Sequence, residues 1–410
     1  MSERPPVVPG WGLATQALHA HLRPDATTGA VQPGIAMSVN HLFTPGEAAF
    51  SADGVEDLAQ LPFLYARWGN PTVRQLEQRL AALEGAEDAL ATATGVAAVA
   101  AVCFGLLRAG DHVVLSDVCY AGAQELVRGL LPDFGVEVTA VNLSDLAALR
   151  AAMRPQTRLV HAETPCNPLL RLTDLRAVAD IAHAQGALLS VDSTLATPVF
   201  SQPLAHGADL VLHSLTKFIN GHGDALGGVV AGRRELVARL RARAGVYLGA
   251  TLSAHNAWLI LRGIDTLDVR LRRSADSAGR IARFLRGHPA VRAVTWPGLP
   301  EHPQHALAQR QMPGFGAVLT FQVQGHGPAV AERLARRLQV AHYAFSLGHQ
   351  RSLVVWLGSD ELLASSFPLQ GEALADYRRF AGDGVFRLSV GLEDPADLIA
   401  DLDQALRADD

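Results

Sequence analysis

One arrangement recurs through residues 111–217: a short apolar run that stops at a polar side chain. The run 111–116 leads to Asp117 and Tyr120, 158–162 leads to Asn167, 187–191 stops at Asp192, and 209–212 opens into Ser214, Thr216 and Lys217. Runs of this length, bounded in this way, read as buried strands. Helical patterns lie between them, as where Leu175, Val178, Ile181 and Ala182 share one face of a segment that Thr173 opens and Gly186 closes. Strands alternating with helices build a parallel sheet, which takes its ligands beyond the carboxyl ends of its strands. These polar residues therefore converge on one edge of the sheet, which restricts the chain to an α/β fold with its site at that edge.

Residues 212–228, LHSLTKFINGHGDALGG, carry the sharpest chemistry. Alternation along an extended strand puts Ser214 and Thr216 on one face with Lys217 beside them. A lysine after a strand is ordinarily a solvated charge. Here Val211 and Leu212 precede it, Phe218 and Ile219 follow it, and Gly221, Gly223, Gly227 and Gly228 allow close backbone approach. A desolvated lysine loses basicity and attacks carbonyl groups, so a Schiff base with an aldehyde cofactor is the expectation. Upstream, Thr94 or Gly95 caps the apolar helix 97–107, and the first N–H groups of that helix form an anion site.

Composition removes several other classes. A 49% hydrophobic and 18% charged chain of 410 residues is globular and long enough for two packed regions. A net charge of -5 gives no electrostatic footprint for nucleic acid or an anionic membrane surface. The longest apolar stretch, 96–107, is too short to span a bilayer. Cys103, Cys119 and Cys166 lack metal-ligand spacing and suit a reducing cytosol, so a cytoplasmic protein is expected. His213, His222 and Asp224 fit no familiar metal pattern either, and no metal site is assigned.

The organisation follows in order. Residues 1–64 are rich in Pro, Gly and Thr without periodicity and read as an arm that lies on a neighbouring subunit. Residues 65–262 form the large α/β domain. Residues 263–410, which begin with a long helix at 265–286, form a smaller α+β domain with strands at 315–323 and 385–391 and a closing helix 395–406 capped by Asp394. In 386–390 a period of two sets Arg387 against an apolar face, where an arginine needs a carboxylate partner.

With these pieces together the chain resembles the pyridoxal-phosphate enzymes of the cystathionine and methionine metabolism family. The resemblance rests on YxRxxNPT at 65–72, Thr94-Gly95, ExPxNP at 163–168, VDxTxATP at 191–198, HSxTKxxxGHxDxxGG at 213–228, SLG at 346–348 and RLSVGLED at 387–394. It implies the aspartate-aminotransferase-like fold type I, with a mainly parallel central sheet covered by helices on both faces. It also implies a homotetramer, built as a dimer of active dimers. By resemblance Lys217 forms the Schiff base, Asp192 pairs with the pyridine nitrogen and Tyr120 stacks on the ring. Gly95, Val96, Ser214 and Thr216 hold the phosphate, joined by Tyr65 and Arg67 from a neighbouring subunit. Asn167, Ser346 and Arg387 hold the substrate. The implied activity is a carbon–sulfur lyase acting on cystathionine, homocysteine or methionine, with γ-elimination favoured.

Departures from the family pattern leave neighbouring reactions open. Phe345 stands before SLG where many relatives carry Glu, and His349, Gln350 and Arg351 replace a Gly-rich continuation that ends in an acid. Gly122 fills the place of a reactive cysteine in typical methionine γ-lyases. The alternatives are γ-replacement, as in a cystathionine γ-synthase or an O-acylhomoserine sulfhydrylase, and cystathionine β-lyase.

Overall fold

A computed structural model describes residues 7–8, 10–22, 24–46, 51–52 and 55–408. The larger of its two sheets has seven strands: β1 (Asp88–Thr92), β2 (His112–Ser116), β3 (Glu137–Val141), β4 (Thr157–Glu163), β5 (Leu188–Asp192), β6 (Leu210–Ser214) and β7 (Gly228–Gly232). Their order is β1-β7-β6-β5-β4-β2-β3. Contacts from β6 through β3 are parallel, and β7 runs antiparallel between β6 and β1. The mainly parallel sheet follows from the sequence, since strands buried on both faces read as nearly continuous apolar runs.

Alternation along each strand serves two cores. Val113 and Leu115 pack with Val99 and Val102 of the helix Gly95–Leu106, while Val114 faces Val178 and Ile181 of the helix Leu175–Ala184. Helices therefore cover both faces of the sheet. The sequence places the cap of the second helix at Thr173; the structure moves it to Asp174, whose carboxylate takes the Ala177 N–H at 3.2 Å. Thr173 instead donates its own N–H to the Thr164 hydroxyl. The two residues are both good caps, and the helix starts at whichever leaves its side chain facing the first turn.

A twenty-residue helix, Leu267–Arg286, leads to a five-stranded sheet of β8 (Val291–Thr295), β9 (Val318–Val323), β10 (His342–Tyr343), β11 (Leu353–Gly358) and β12 (Gly384–Ser389), in the order β10-β11-β12-β9-β8. Phe321 and Phe386 stack at 5.2 Å in its core. The helix Pro395–Leu406 closes the chain, with Asp394 as its cap. Near the start, the helix Leu13–His19 lies on the chain's own core: Ala17 and Ala20 are buried, and Arg79 bonds both of their carbonyls.

One buried ion network ties the helix Pro71–Glu84 to β1. Arg241 gives two bonds to Glu77, at 3.0 and 2.9 Å, one to Asp88 at 3.3 Å and one to the Ala89 carbonyl at 2.6 Å. Removing it leaves the buried Glu77 and Asp88 with Arg74 as their remaining cation, so Arg241→Leu is expected to cost about 3 kcal/mol in urea unfolding. Arg272→Ala, which breaks only the exposed i,i+4 pair with Asp268, is expected to cost under about 0.5 kcal/mol. Equal midpoints for the two variants would show that the network contributes nothing beyond surface pairing.

Candidate functional site

The carboxyl ends of β2, β4, β5 and β6 lie along one edge, because these strands run parallel. Asp192 is the last residue of β5. Its Oδ1 accepts two bonds from Thr194, from the N–H at 2.9 Å and from the hydroxyl at 2.6 Å. The same hydroxyl accepts the Ser214 N–H at 2.8 Å, so Thr194 ties the end of β5 to the end of β6. Held by one oxygen, Asp192 keeps the other for a cation.

Ser214 lies against the start of the helix Gly95–Leu106. A Cβ on Gly95 would stand 2.8 Å from the Ser214 Cβ, so only glycine brings the helix terminus this close. Thr94 caps that helix through the Ala97 N–H at 3.0 Å. The N–H groups of Gly95 and Val96 then point forward beside the Ser214 hydroxyl, which is an anion cradle by helix geometry. Thr216 is less free: its hydroxyl accepts the Gly227 N–H at 3.1 Å and bonds the Gly227 carbonyl.

Lys217 donates from Nζ to the Ser346 hydroxyl at 2.9 Å. Ser346 has φ of 88°, a left-handed conformation that costs energy for a residue with a side chain. Its carbonyl accepts Arg387 Nη2 at 3.1 Å, and the Asn167 Oδ1 accepts Arg387 Nη1 at 2.8 Å. Arg387 is buried and its Nε has no partner among the described residues. A guanidinium with an unsatisfied N–H in a buried site is set to receive an oxyanion. Burial draws Arg387 down to about 10, opposed by the charge of Glu163. Burial also lowers the Lys217 amine, and the Arg387 cation lowers it further.

Tyr120 stands half exposed above this edge. Its ring passes over Gly122, where a Cβ would approach within 2.8 Å. A side chain at position 122 would displace the ring. Tyr65 and Arg67 sit together elsewhere, with the guanidinium 5.7 Å from the Tyr65 ring centroid and Nη1 bonded to the Val246 carbonyl at 2.7 Å. Among the described residues no contact joins that pair to the Lys217 cluster. His213, His222 and Asp224 do not converge: they bond Glu84, the Asn220 carbonyl and the Asn220 amide respectively.

Two participants were hard to see in the sequence. Thr194 has a local signal, as a hydroxyl two residues beyond an aspartate is a turn former. Glu163 has none outside the motif, yet its carboxyl accepts the N–H groups of both Tyr120 and Asn167, each at 2.6 Å. Burial, followed by the charge of Asp192, pushes that carboxyl up to about 8. His349 also enters the region: its ring covers Gly223, and burial and then the Lys217 charge lower it.

Comparison with known proteins agrees with this geometry. The family described as Cys/Met metabolism PLP-dependent enzymes matches residues 14–407. The chain is 43% identical to a canavanine gamma-lyase of Pseudomonas canavaninivorans over 96% of each protein. It is 40% identical to an L-methionine gamma-lyase of Pseudomonas deceptionensis over 97% of this chain and 98% of that one. The crystal structure of a cystathionine gamma synthase from Xanthomonas oryzae pv. oryzae, in complex with aminoacrylate and cysteine, superposes with a TM-score of 0.85 at 38% identity, covering 97% of this chain and 98% of that one. The cofactor of this family suits the residues present: the Gly95–Ser214 cradle fits a phosphate, the open Asp192 oxygen a ring nitrogen, and Lys217 an aldehyde carbon.

Since Arg387 helps to hold Lys217 below its ordinary range, Arg387→Leu is expected to raise the amine. The incorporation rate of pyridoxal phosphate into the apoprotein, followed by visible absorption, is then half-maximal at a higher pH than in the wild type. An unmoved midpoint would leave burial as the sole cause.

Proposed function

Because this chain belongs to the family of Cys/Met metabolism PLP-dependent enzymes, we propose that it is a carbon–sulfur lyase that opens the Cγ–S bond of a sulfur amino acid. The products are a thiol (hydrogen sulfide from homocysteine), a 2-oxo acid and ammonia. The observation that carries the reading is the chain of contacts from Lys217 through Ser346 to Arg387, which sets a weakened base beside a carboxylate receptor.

Pyridoxal phosphate, when bound, supplies an electron sink for the pair left behind at the substrate Cα. Arg387, with Asn167, takes the substrate carboxylate and thereby turns the Cα–H toward Lys217. Lys217 removes that proton and, because the sulfur leaves from Cγ, a second one from Cβ. Tyr120 gives a proton to the departing sulfur. Asp192 keeps the ring nitrogen cationic, and Gly95, Val96, Ser214 and Thr216 hold the phosphate.

Phe345 orders the substrates. It precedes Ser346 directly and is 75% exposed. An exposed aromatic ring offers a cationic distal group only a weak contact where a carboxylate would pair with it. Methionine and homocysteine therefore stand ahead of cystathionine and of canavanine, whose distal ends are charged. A panel of these four amino acids, and of O-acylhomoserine with a thiol, assayed for 2-oxo acid and thioether, tests the reading. Methionine or homocysteine is expected to give the most 2-oxo acid, Lys217→Ala none, and Phe345→Glu a relative gain on cystathionine of at least about tenfold. Thioether formation without 2-oxo acid would assign γ-replacement, which the exposed Arg351 cation would serve by meeting an anionic ester.

Tyr65 and Arg67 complete the phosphate site of a neighbouring subunit in this reading, so the active unit is a dimer, and the assembly is a homotetramer of two such dimers. Support comes from exposed Val31, Met37, Val39, Leu42 and Phe43 along the arm, an apolar surface that needs cover. The domains are the arm 1–64, the cofactor domain 65–262 and the domain 263–410, divided between the two sheets. Three buried thiols, with Cys103 pushed up to about 12 and Cys166 to about 11 by burial, are consistent with a cytoplasmic enzyme. Among the described residues no helix is long and apolar enough to cross a membrane. Arg67→Ala is expected to weaken pyridoxal phosphate binding by about 1–3 kcal/mol without changing the sedimentation coefficient. A wild-type monomer with full activity would overturn the shared site.

A further inference from the structure

Glu163 has a place that the reaction above does not use. It ends β4, opposite Asp192 in the register with β5, and is only 3% exposed. A carboxyl group so buried needs a reason, since an apolar residue would cost the fold less. Its two oxygens are both occupied. Oε2 takes the N–H of Tyr120, and Oε1 takes the N–H of Asn167, each at 2.6 Å.

These two N–H groups belong to different loops with different tasks. Tyr120 ends the loop after β2 and carries the ring that faces the cofactor. Asn167 belongs to the loop after β4 and holds Arg387 by its Oδ1 at 2.8 Å. One side chain thus fixes the backbone beneath the ring-stacking group and beneath the partner of the carboxylate receptor. A buried ion pair between Asp117 and Arg171 joins the same two loops farther from the site, so their general packing does not depend on Glu163 alone.

We propose that Glu163 is a positioning residue which locks the Tyr120 ring and the Asn167–Arg387 pair into one frame, so that cofactor orientation and substrate-carboxylate binding are set together. The geometry admits few replacements. A carboxamide can accept one of the two N–H groups, but its NH2 then faces the other donor. Aspartate keeps both oxygens but is one methylene too short to reach the two N–H groups. The proposal needs the cofactor family but not the choice of leaving group, and it can stand or fall apart from the lyase reading.

The test uses holoenzyme reconstituted with pyridoxal phosphate, with L-alanine as the probe because it has a carboxylate and an amine but no group to eliminate. In Glu163→Gln the half-saturating L-alanine concentration, read from the spectral change of the bound cofactor at 25 °C, is expected to rise at least about tenfold. The visible circular dichroism of the cofactor is expected to fall by about half, as the ring loses its single orientation, while its dissociation constant, set mainly by the phosphate and ring-nitrogen contacts, changes less than about threefold. A variant with a lower melting temperature but unchanged dichroism and L-alanine binding would make Glu163 merely structural and overturn the proposal. Should Glu163→Gln fail to fold, Glu163→Asp decides in the same way: the two signals move together in the expected direction, or the frame does not exist.

Discussion

Lys217 follows a strand of the seven-stranded sheet and Arg387 lies within a strand of the five-stranded one, so the site depends on how the two sheets are held against each other. Ser346 is the link, its hydroxyl on the amine and its carbonyl on the guanidinium. The segment that carries it is fastened on both sides. Gly348 donates to the Ser389 hydroxyl at 2.8 Å, and Gln350 donates to the Gly221 carbonyl at 2.8 Å. A Cβ on Gly348 would come within 2.5 Å of the Phe218 nitrogen, so the segment lies flush against the backbone that bears the lysine. The strained backbone of Ser346 is tolerated because these bonds over-determine it.

That fastening has an electrostatic result. Bringing a buried cation near a buried amine favours the neutral amine, which is the form that attacks a carbonyl and accepts a proton. Neither sheet alone produces this effect. The smaller sheet therefore does more than complete the fold, because it delivers the Arg387 charge that lowers the Lys217 amine beside the larger one.

The large sheet was legible because its parallel strands are buried on both faces, which gives unbroken apolar runs with polar stops, as at Asp192 and Ser214. Strands β1 and β7 were less so, since Ala and Gly in Asp88–Thr92 and Gly228–Gly232 carry little β signal and their burial is imposed by neighbours. The approach of Lys217 to Ser346 spans 129 residues and has no local trace at all. Only the resemblance to a family pointed to Ser346. Glu163 was hidden for a different reason: its role is to hold backbone N–H groups, and any carboxylate in a turn offers the same pattern.

Taken from one end to the other, the site is polarised. Helix N–H groups and the Ser214 hydroxyl gather at the Gly95 end, where they favour negative charge. At the other end Asp192 and Glu163 stand side by side on adjacent strands, and burial together with the Asp192 charge raises the Glu163 carboxyl. Thr194 relieves one oxygen of Asp192 and the two backbone N–H groups relieve Glu163, which leaves the second Asp192 oxygen as the point where a cation gains most. A molecule that fits this field carries an anion at one end and a protonated nitrogen at the other, with an electrophilic carbon within reach of Lys217. The charge pattern thus suits two of the cofactor's groups, the phosphate and the ring nitrogen, because each end of the site would be less stable with the opposite charge.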